Sequence, residues 1–137
     1  MKGVSVSTIP THQDDRGYLL SLDAQQSLPF ELKRCFFIWG CPAFASRAGH
    51  SVSSPIALVA LRGSVTIDLD NGDQRLRLEL TQPDHLVCIE AGIWHRLRQF
   101  SPDALIAVAT SSHYSETKYF DTPQPGFRDH AESREDS

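Results

Sequence analysis

The sequence predicts an all-β protein of one domain, built as a sandwich or a barrel of short strands. Short runs of apolar and β-branched residues recur between turn residues, at a spacing of about 8–12 residues. No segment before residue 112 carries apolar residues at helical spacing over a dozen positions. The chain has 137 residues, which is enough for one domain and too few for two ordinary ones.

Each predicted strand is an alternating or a uniformly apolar run. Residues 4–9 alternate, residues 34–39 are rich in aromatic and β-branched side chains, and residues 56–61 are apolar throughout. A uniformly apolar run of that length is typical of a strand buried on both faces. The other predicted strands are 18–22, 65–70, 75–80, 85–89, a short strand that follows the turn at 92–95 and runs through residue 100, and 104–110.

The clearest supersecondary signal is the hairpin of residues 65–80. Val65, Ile67 and Leu69 alternate with polar residues, and the same alternation returns over residues 75–80. Between the two runs, Asn71-Gly72 predicts a two-residue type I′ turn, in which both central residues need a positive φ.

The C-terminal end of the chain predicts one short helical turn and a tail. The turn is expected to begin near Ser112 or Ser115, with a serine as a weak N-terminal cap. Residues 131–137 are polar and charged without an apolar anchor, so we expect them to be disordered. The predicted single domain therefore covers residues 1–130.

Composition excludes several classes of protein. The formal net charge of −4 argues against a nucleic-acid-binding face, because such faces carry a basic excess. No apolar run is long enough to span a membrane, and the first residues lack the apolar stretch of a signal peptide, so we expect a cytoplasmic protein. Three cysteines without CxxC spacing predict neither a disulfide framework nor a zinc site, and we expect Cys35 and Cys88 in the core.

Two of the six histidines are candidate catalytic residues. His50 precedes a buried strand, and His95 closes the tight turn at residues 92–95. Both would enter the sheet near the same kind of edge, so they could meet in a barrel mouth. The alternative is that each is a structural histidine that hydrogen-bonds within the fold. Two histidines without a nearby carboxylate make a poor metal cage, so no catalytic metal is expected.

Arginine is the candidate ligand for a phosphate, because a guanidinium binds phosphate bidentately and an ammonium does not. Arg16 and Arg47 follow turns and are placed to line a mouth, whereas Arg62 is interpreted as a surface residue. Arg34 is a further cation within a predicted strand.

The chain resembles the cupin-type sugar-nucleotide 3,4-ketoisomerases, a WxcM-like family that acts on dTDP-4-keto-6-deoxyglucose. The resemblance covers about residues 12–127 and rests on the order and spacing of several segments. These are Asp15-Arg16-Gly17-Tyr18-Leu19, residues 28–34, Arg47-Ala48-Gly49-His50, Gly63-Ser64-Val65 with Asp70-Asn71-Gly72, Gly92-Ile93-Trp94-His95, and residues 114–120.

The resemblance implies a small jelly-roll barrel, usually a homodimer with exchanged N-terminal strands, that uses no metal and no cofactor. The implied substrate is a dTDP-hexulose in the barrel mouth, whose carbonyl moves from C4 to C3 through an enediol. This step serves the synthesis of dTDP-linked amino sugars for surface polysaccharide. His50 and His95 would transfer protons, and Arg16 and Arg47 would contact the diphosphate. Trp94, Phe36 and Phe37 would supply stacking surface for the sugar and thymine, with core packing as the alternative for all three. At least one of Phe36 and Phe37 is expected in the core, because adjacent strand residues face opposite sides.

The chain departs from the family pattern Arg-Gly-x-His-x-His at polar positions of the expected pocket. The replacements are Val52 for the second histidine, Ala57 near the place of a usual glutamine, and Phe36 and Phe37 for tyrosines. Loss of a positioned acid–base group usually costs about 10²–10⁴ in rate. Three hypotheses follow: a ketoisomerase in which His50 works with His95 or a water, a relative with altered isomerase or epimerase chemistry, and a non-catalytic sugar-nucleotide-binding cupin.

Overall fold

The alternating runs of the sequence form short strands and one 3₁₀ turn in the structure, a computed structural model that describes residues 1–127. The strands are β1 (Val4–Thr8), β2 (Thr11–Asp14), β3 (Gly17–Leu20), β4 (Arg34–Trp39), β5 (Ser46–Val52), β6 (Ile56–Arg62), β7 (Val65–Asp70), β8 (Arg75–Leu80), β9 (His85–Ile89), β10 (Trp94–Arg98), β11 (Leu105–Thr110) and β12 (Tyr119–Phe120). The 3₁₀ turn, Tyr114–Glu116, lies between β11 and β12. The predicted all-β fold is thereby confirmed.

Two five-stranded antiparallel sheets form the body of the fold. The first has the strand order β1-β9-β6-β11-β4, and the second has the order β12-β5-β10-β7-β8. Neighbouring strands are often distant in sequence, as expected for a jelly roll in which successive strands alternate between two sheets. The β2–β3 hairpin is a separate two-stranded sheet.

The main core lies between the two sheets. Alternation along each strand turns one set of side chains inward, and Ile67, Leu69 and Ile106 are almost completely buried there. A second apolar cluster lies on the outer face of the first sheet, where Ile9 and Leu28 pack with Val59. The N-terminal segment therefore covers part of a sheet face that would otherwise meet water.

The predicted hairpin is present, but its turn differs from the predicted two-residue type I′ turn. Asp70 pairs with Arg75, so the loop has the four residues 71–74. Of these, Gly72 has a positive φ of 92° whereas Asn71 does not. The Asn71 side-chain oxygen accepts hydrogen bonds from the backbone N–H groups of Asp73 and Gln74, which stabilises the longer loop.

Two smaller expectations were wrong. Cys35 is exposed, because it lies on the edge strand β4 and faces away from the core, and Cys88 is only half-buried. The 3₁₀ turn has His113 at its N-cap without a side-chain cap. Ser112 is instead hydrogen-bonded to Ser54 and Thr117.

The end of the predicted domain at residue 130 and the predicted tail 131–137 lie outside the described residues. Within the described range, the structure has no helix with the length and apolar character needed to cross a membrane.

Candidate functional site

His50 and His95 lie directly opposite each other on the neighbouring strands β5 and β10. Their ring centroids are 5.3 Å apart, and the ring planes are nearly perpendicular at 87°. The two histidines that the sequence singled out are therefore brought together, although 44 positions separate them in the chain. Both side chains line one cavity at the end of the two sheets, with a volume of about 410 Å³.

A β-bulge sets the direction of the His50 side chain. Arg96 pairs with Ala48 while His95 pairs with His50, so Gly49 is an extra residue without a partner on β10. Ala48 and Gly49 both take left-handed backbone conformations, with φ of 67° and 77°. Residues three apart on a regular strand face opposite sides, but the bulge turns Arg47 and His50 toward the same cavity.

Burial keeps both imidazoles neutral near pH 7. His95 is only 3% exposed, and this burial, opposed weakly by a hydrogen bond to the Ile93 carbonyl and reinforced by His50, lowers the pKa of His95 to about 4. His50 is half-buried, and burial also lowers its pKa below the ordinary value of 6.5. A neutral imidazole can accept a proton, so both rings are in the state that a base requires.

The tautomer of His95 follows from its backbone contact. Its Nδ1 lies 3.1 Å from the Ile93 carbonyl oxygen, which can only accept, so Nδ1 carries the hydrogen and donates it. Nε2 then carries the lone pair. This contact holds the His95 ring in one orientation, with its neighbour His50 packed against it.

Of the other predicted site residues, Arg47, Phe36 and Phe37 also border the cavity. Phe36 shares its strand face with the buried Ile38 and therefore points inward, while Phe37 alternates to the outer face and is 54% exposed. The expectation that at least one of the two phenylalanines is core is wrong, since neither is buried. Phe36 is part of the cavity wall, and Phe37 contributes to its rim.

The cavity also includes Arg34, which the sequence offered only as a cation within a strand, and Tyr114 and Tyr119, which it did not offer as site residues. The Tyr119 ring lies 4.9 Å from the His50 ring at an angle of 72°, and Tyr114 lies 6.4 Å from Tyr119. The two tyrosines come from the segment after the last long strand, where the only local signal was a pair of aromatic residues five positions apart. Their approach to β5 is a tertiary contact that no local pattern predicts.

The segment of residues 118–124 is fastened to the body of the fold by hydrogen bonds. The Ser53 N–H donates to the Lys118 carbonyl at 3.0 Å, the Ser51 hydroxyl donates to the Thr122 carbonyl at 2.7 Å, and the Gln124 N–H donates to the Gly92 carbonyl at 2.7 Å. A Cβ at position 92 would collide with the Gln124 carbonyl, so only glycine permits this approach. These bonds hold Tyr119 over the cavity.

Apolar side chains stand where the resemblance implies polar ones. Val52 is almost fully buried in the cavity wall, two residues beyond His50. Ile56, not Ala57, faces the cavity at the place of the usual glutamine, because Ala57 belongs to the outer apolar cluster. Among the described residues that line the cavity, the imidazole and phenol groups are therefore those of the two histidines and the two tyrosines.

Trp94 does not reach the cavity. It precedes His95 on β10 and therefore faces the other side of the sheet, where it pairs with Asp70 and stacks near Arg96, 5.8 Å from ring to guanidinium. Asp68 is the centre of this outer face, since it accepts hydrogen bonds from Arg96 and Arg98, and these arginines lower its pKa to about 2. The interpretation of Trp94 as stacking surface for the substrate has no support from this placement.

Arg16 is also outside the cavity. It lies at the tip of the β2–β3 hairpin, exposed to solvent, and donates to the Asp14 carboxylate at 2.7 Å. Arg16 is not among the described residues that line the cavity of His50.

Metal-ligating side chains do not gather in the described part of the chain. Across residues 1–127 no three His, Cys, Asp or Glu side chains lie together in a group that could hold a metal ion. The lining of the cavity includes no carboxylate from these residues.

Comparison with known proteins connects this geometry to a family. The family model FdtA, described as WxcM-like, C-terminal, matches residues 2–129. The chain is 30% identical over 107 residues to the TDP-4-oxo-6-deoxy-α-D-glucose-3,4-oxoisomerase of Aneurinibacillus thermoaerophilus, with 77% of each chain covered.

Solved structures of 3,4-ketoisomerases are also similar to this chain. A doubly substituted form of the 3,4-ketoisomerase QdtA from Thermoanaerobacterium thermosaccharolyticum, in complex with TDP, superposes with a TM-score of 0.85 at 27% identity, covering 98% of this chain and 97% of that one. The TDP-quinovose 3,4-ketoisomerase WlaRB from Campylobacter jejuni gives a TM-score of 0.84 at 26% identity, with 89% and 95% covered. The chain therefore belongs to the FdtA family of WxcM-like C-terminal domains.

Proposed function

We propose that this protein is a sugar-nucleotide 3,4-ketoisomerase that moves the carbonyl of a dTDP-linked 4-keto-6-deoxyhexose from C4 to C3. The observation that carries the proposal is His50, a half-buried and neutral imidazole in the wall of a cavity lined by aromatic and cationic side chains. The curated relative is a 3,4-oxoisomerase of a TDP-4-oxo-6-deoxyglucose, and a solved relative binds TDP, which supports the same substrate class.

His50 is the base in this proposal. It takes the proton from C3, the electron pair of that C–H bond forms the C3–C4 double bond, and the electrons of the C4 carbonyl move to O4. The resulting enediolate gains a proton at C4 and a proton on O4, while the C3 hydroxyl loses its proton and becomes the new carbonyl. The two protons lost from C3 and O3 are thus balanced by the two gained at C4 and O4. The reaction is redox-neutral and consists of proton transfers alone, so the proposed mechanism requires neither a cofactor nor a metal.

Tyr119 is the group we propose for the proton that arrives at C4, directly or through a water. Its ring packs against the ring of His50, and both side chains line the same cavity. A tyrosine hydroxyl can both donate and accept a hydrogen bond.

His95 is a positioning residue in this proposal. It is buried beneath His50, fixed by the Ile93 carbonyl, and too weakly basic to hold a proton at neutral pH. Because His95 stays neutral, it does not repel the charge that His50 acquires when it takes the proton. The predicted pair of catalytic histidines is thus divided into one base and one support.

The ligand would lie with its sugar inside the cavity and its diphosphate at the rim. Arg47 is exposed on β5 at the edge of the cavity and can bind the diphosphate bidentately. Phe36 offers an inward-facing ring for the sugar or base. The product would supply the synthesis of dTDP-linked amino sugars, and a cytoplasmic location is kept as an inference from the sequence.

A homodimer with exchanged N-terminal strands is the assembly we propose. The β2–β3 hairpin pairs with no other strand of the described chain, although it exposes Tyr18 and Leu19. Phe37 and Trp39 are also exposed on the edge strand β4, and an apolar surface of this kind is typical of an interface. Exchange of the hairpin would bring Arg16 to the site of the partner subunit.

Mixing two inactive variants tests this assembly. Arg16→Ala and His50→Asn subunits, unfolded together and refolded, would form mixed dimers in which one site keeps both residues. Activity recovered on mixing supports exchange, whereas no recovery together with a monomeric mass in solution contradicts the dimer.

Proton NMR in D₂O with dTDP-4-keto-6-deoxyglucose tests the proposed function. We expect the 3-keto product to appear and the C3 proton to exchange with solvent, and we expect His50→Asn to abolish both. Binding of the substrate without exchange or conversion would instead identify a non-catalytic sugar-nucleotide-binding protein.

A further inference from the structure

The cavity beside His50 contains positive charge without a matching negative charge. Among the described residues that line it, Arg34 and Arg47 are cationic and none is a carboxylate. The two histidines are neutral near pH 7, so they add nothing to the balance. A cavity of this kind favours an anionic group on its ligand.

Arg34 and Arg47 occupy different depths. Arg47 is exposed on β5, whereas Arg34 is half-buried at the start of β4, where it pairs with the buried Thr110 of β11. The guanidinium of Arg34 lies 5.1 Å from the centroid of the Phe36 ring and 5.5 Å from that of Tyr114. The two aromatic rings hold its plane in place.

The Nε of Arg34 is buried and has no hydrogen-bond partner within residues 1–127. Buried donors are almost always paired, and an unpaired donor on a charged group is costly. Cation–π contacts compensate this cost only in part. The Arg34 Nε therefore has no partner among the described residues, and the cavity is where a ligand would provide one.

The reaction proposed above generates an anion inside this cavity, and the present inference rests on that proposal. Removal of the C3 proton leaves a planar enediolate with its negative charge on O4 and with O3 beside it. A guanidinium presents two parallel N–H groups in a plane, a geometry that matches two adjacent oxygens. Neither neutral histidine offers such a charged pair of donors.

We propose that Arg34 stabilises the enediolate, with its guanidinium donating hydrogen bonds to O3 and O4 of the sugar while His50 holds the C3 proton. The charge on these oxygens is larger in the transition state than in the ketone, so the contact accelerates the reaction more than it tightens binding. Arg47, at the rim, then serves the diphosphate. Arg34 thus binds the reacting part of the ligand, and Arg47 binds its non-reacting part.

Arg34→Ala tests this assignment because it opens a gap between two aromatic rings that a guanidinium ion can refill. We expect kcat and the C3 proton exchange rate to fall about 10²–10³-fold, with the dTDP dissociation constant nearly unchanged. Added guanidinium at tens of millimolar should restore part of kcat in Arg34→Ala and none in Arg47→Ala, whose dTDP affinity should instead fall about tenfold.

Arg34→Lys is the second variant, because lysine keeps the positive charge and lacks the two parallel N–H groups of the guanidinium. We expect a clear loss of kcat with normal dTDP binding, and dTDP binding also reports that each variant is folded. Weaker dTDP binding with a normal kcat at saturating substrate would place Arg34 at the diphosphate and overturn the assignment. So would a full kcat in Arg34→Lys, or a lost kcat that guanidinium does not rescue.

The wild-type protein separates the two proposals within the same experiment. Exchange and conversion by the wild type with an undiminished Arg34→Ala variant would overturn the role of Arg34 alone. Absence of both in the wild type would overturn the proposed function, and the role of Arg34 with it.

Discussion

Val52 and Tyr119 are register partners on the neighbouring strands β5 and β12. Val52 lies where the family pattern has its second histidine, and its partner places a phenol ring 4.9 Å from the ring of His50. The chain thus lacks an imidazole at this position but keeps an ionisable hydroxyl beside the proposed base. In the proposed reaction, Tyr119 would supply the acid despite the departure at position 52.

Tyr119→Phe removes only that hydroxyl and keeps the ring packed on His50. We expect turnover to fall about 10²–10⁴-fold, because C4 is no longer protonated efficiently. The C3 proton should still exchange with D₂O, since His50 is intact, and NMR follows both signals in one sample. Tyr114→Phe removes the other cavity hydroxyl and should have a smaller effect on turnover. Equal loss of exchange and turnover in Tyr119→Phe would contradict its role as the acid.

The pH dependence of kcat/KM should report His50. A base must be deprotonated, and burial lowers the pKa of His50 below 6.5, so activity should persist as the pH falls to 6.5 and decline only below it. The dissociation constant of dTDP, measured over the same pH range, separates this decline from changes in diphosphate binding. A decline that begins well above pH 6.5 would mean that another group is the base.

The free energy of unfolding should fall in acid because of His95. Its pKa is about 4 in the folded protein and near 6.5 when unfolded, so the unfolded chain binds more protons between these values. The stability that the protein gains from keeping His95 neutral is therefore fully present above pH 6.5. It is lost as the pH falls through 6.5 toward 4, by about 2 kcal/mol between pH 7 and 4.5.

Urea unfolding at the two pH values measures this loss. His95→Gln cannot take up the proton, so its free energy of unfolding should fall less than that of the wild type over the same interval. Equal losses in both proteins would show that other groups control the acid response.

The bulge makes a prediction about two neighbouring backbone positions. Gly49→Ala should cost about 1–2 kcal/mol, because an alanine is strained at a φ of 77° even though no atom lies within 4 Å of its Cβ. Ala48→Gly should relieve the same strain, offset in part by a more flexible unfolded chain. Thermal unfolding measures both, and a stabilised Gly49→Ala variant would contradict the left-handed conformation.

Most strands of the fold follow from sequence patterns, and the site strand does not. β4, β7, β8 and β9 have the predicted bounds, because β7 and β8 alternate with a period of two and β4 and β9 are short, largely apolar runs. β5 was not predicted as a strand, since Ser46–Val52 has an alanine and a glycine in left-handed conformations and little apolar alternation. Its pairing with β10 supplies the order that its own residues lack.

The candidate site could be predicted in part. His50 and His95 stand out as residues at the ends of turns, and both lie in the cavity. Trp94 lies in the same turn as its neighbour His95. Alternation along β10 puts the two side chains on opposite faces of the sheet, and the sequence did not show which of them faces the cavity. Tyr119 and Arg34 contribute through contacts that join distant segments, and such contacts leave no periodic trace in the chain.

Gly49, which has no partner on β10, also shifts which alternate residues of β5 face the cavity. On one side of it the odd-numbered Arg47 faces the cavity, and on the other side the even-numbered His50 and Val52 do. If Gly49 instead paired as a regular strand residue, every functional side chain would remain in the chain and yet the segment before it would face the other side of the sheet. On a regular strand, residues that face the same side are separated by an even number of positions. The three-residue interval between Arg47 and His50 is therefore a sequence signal of the bulge.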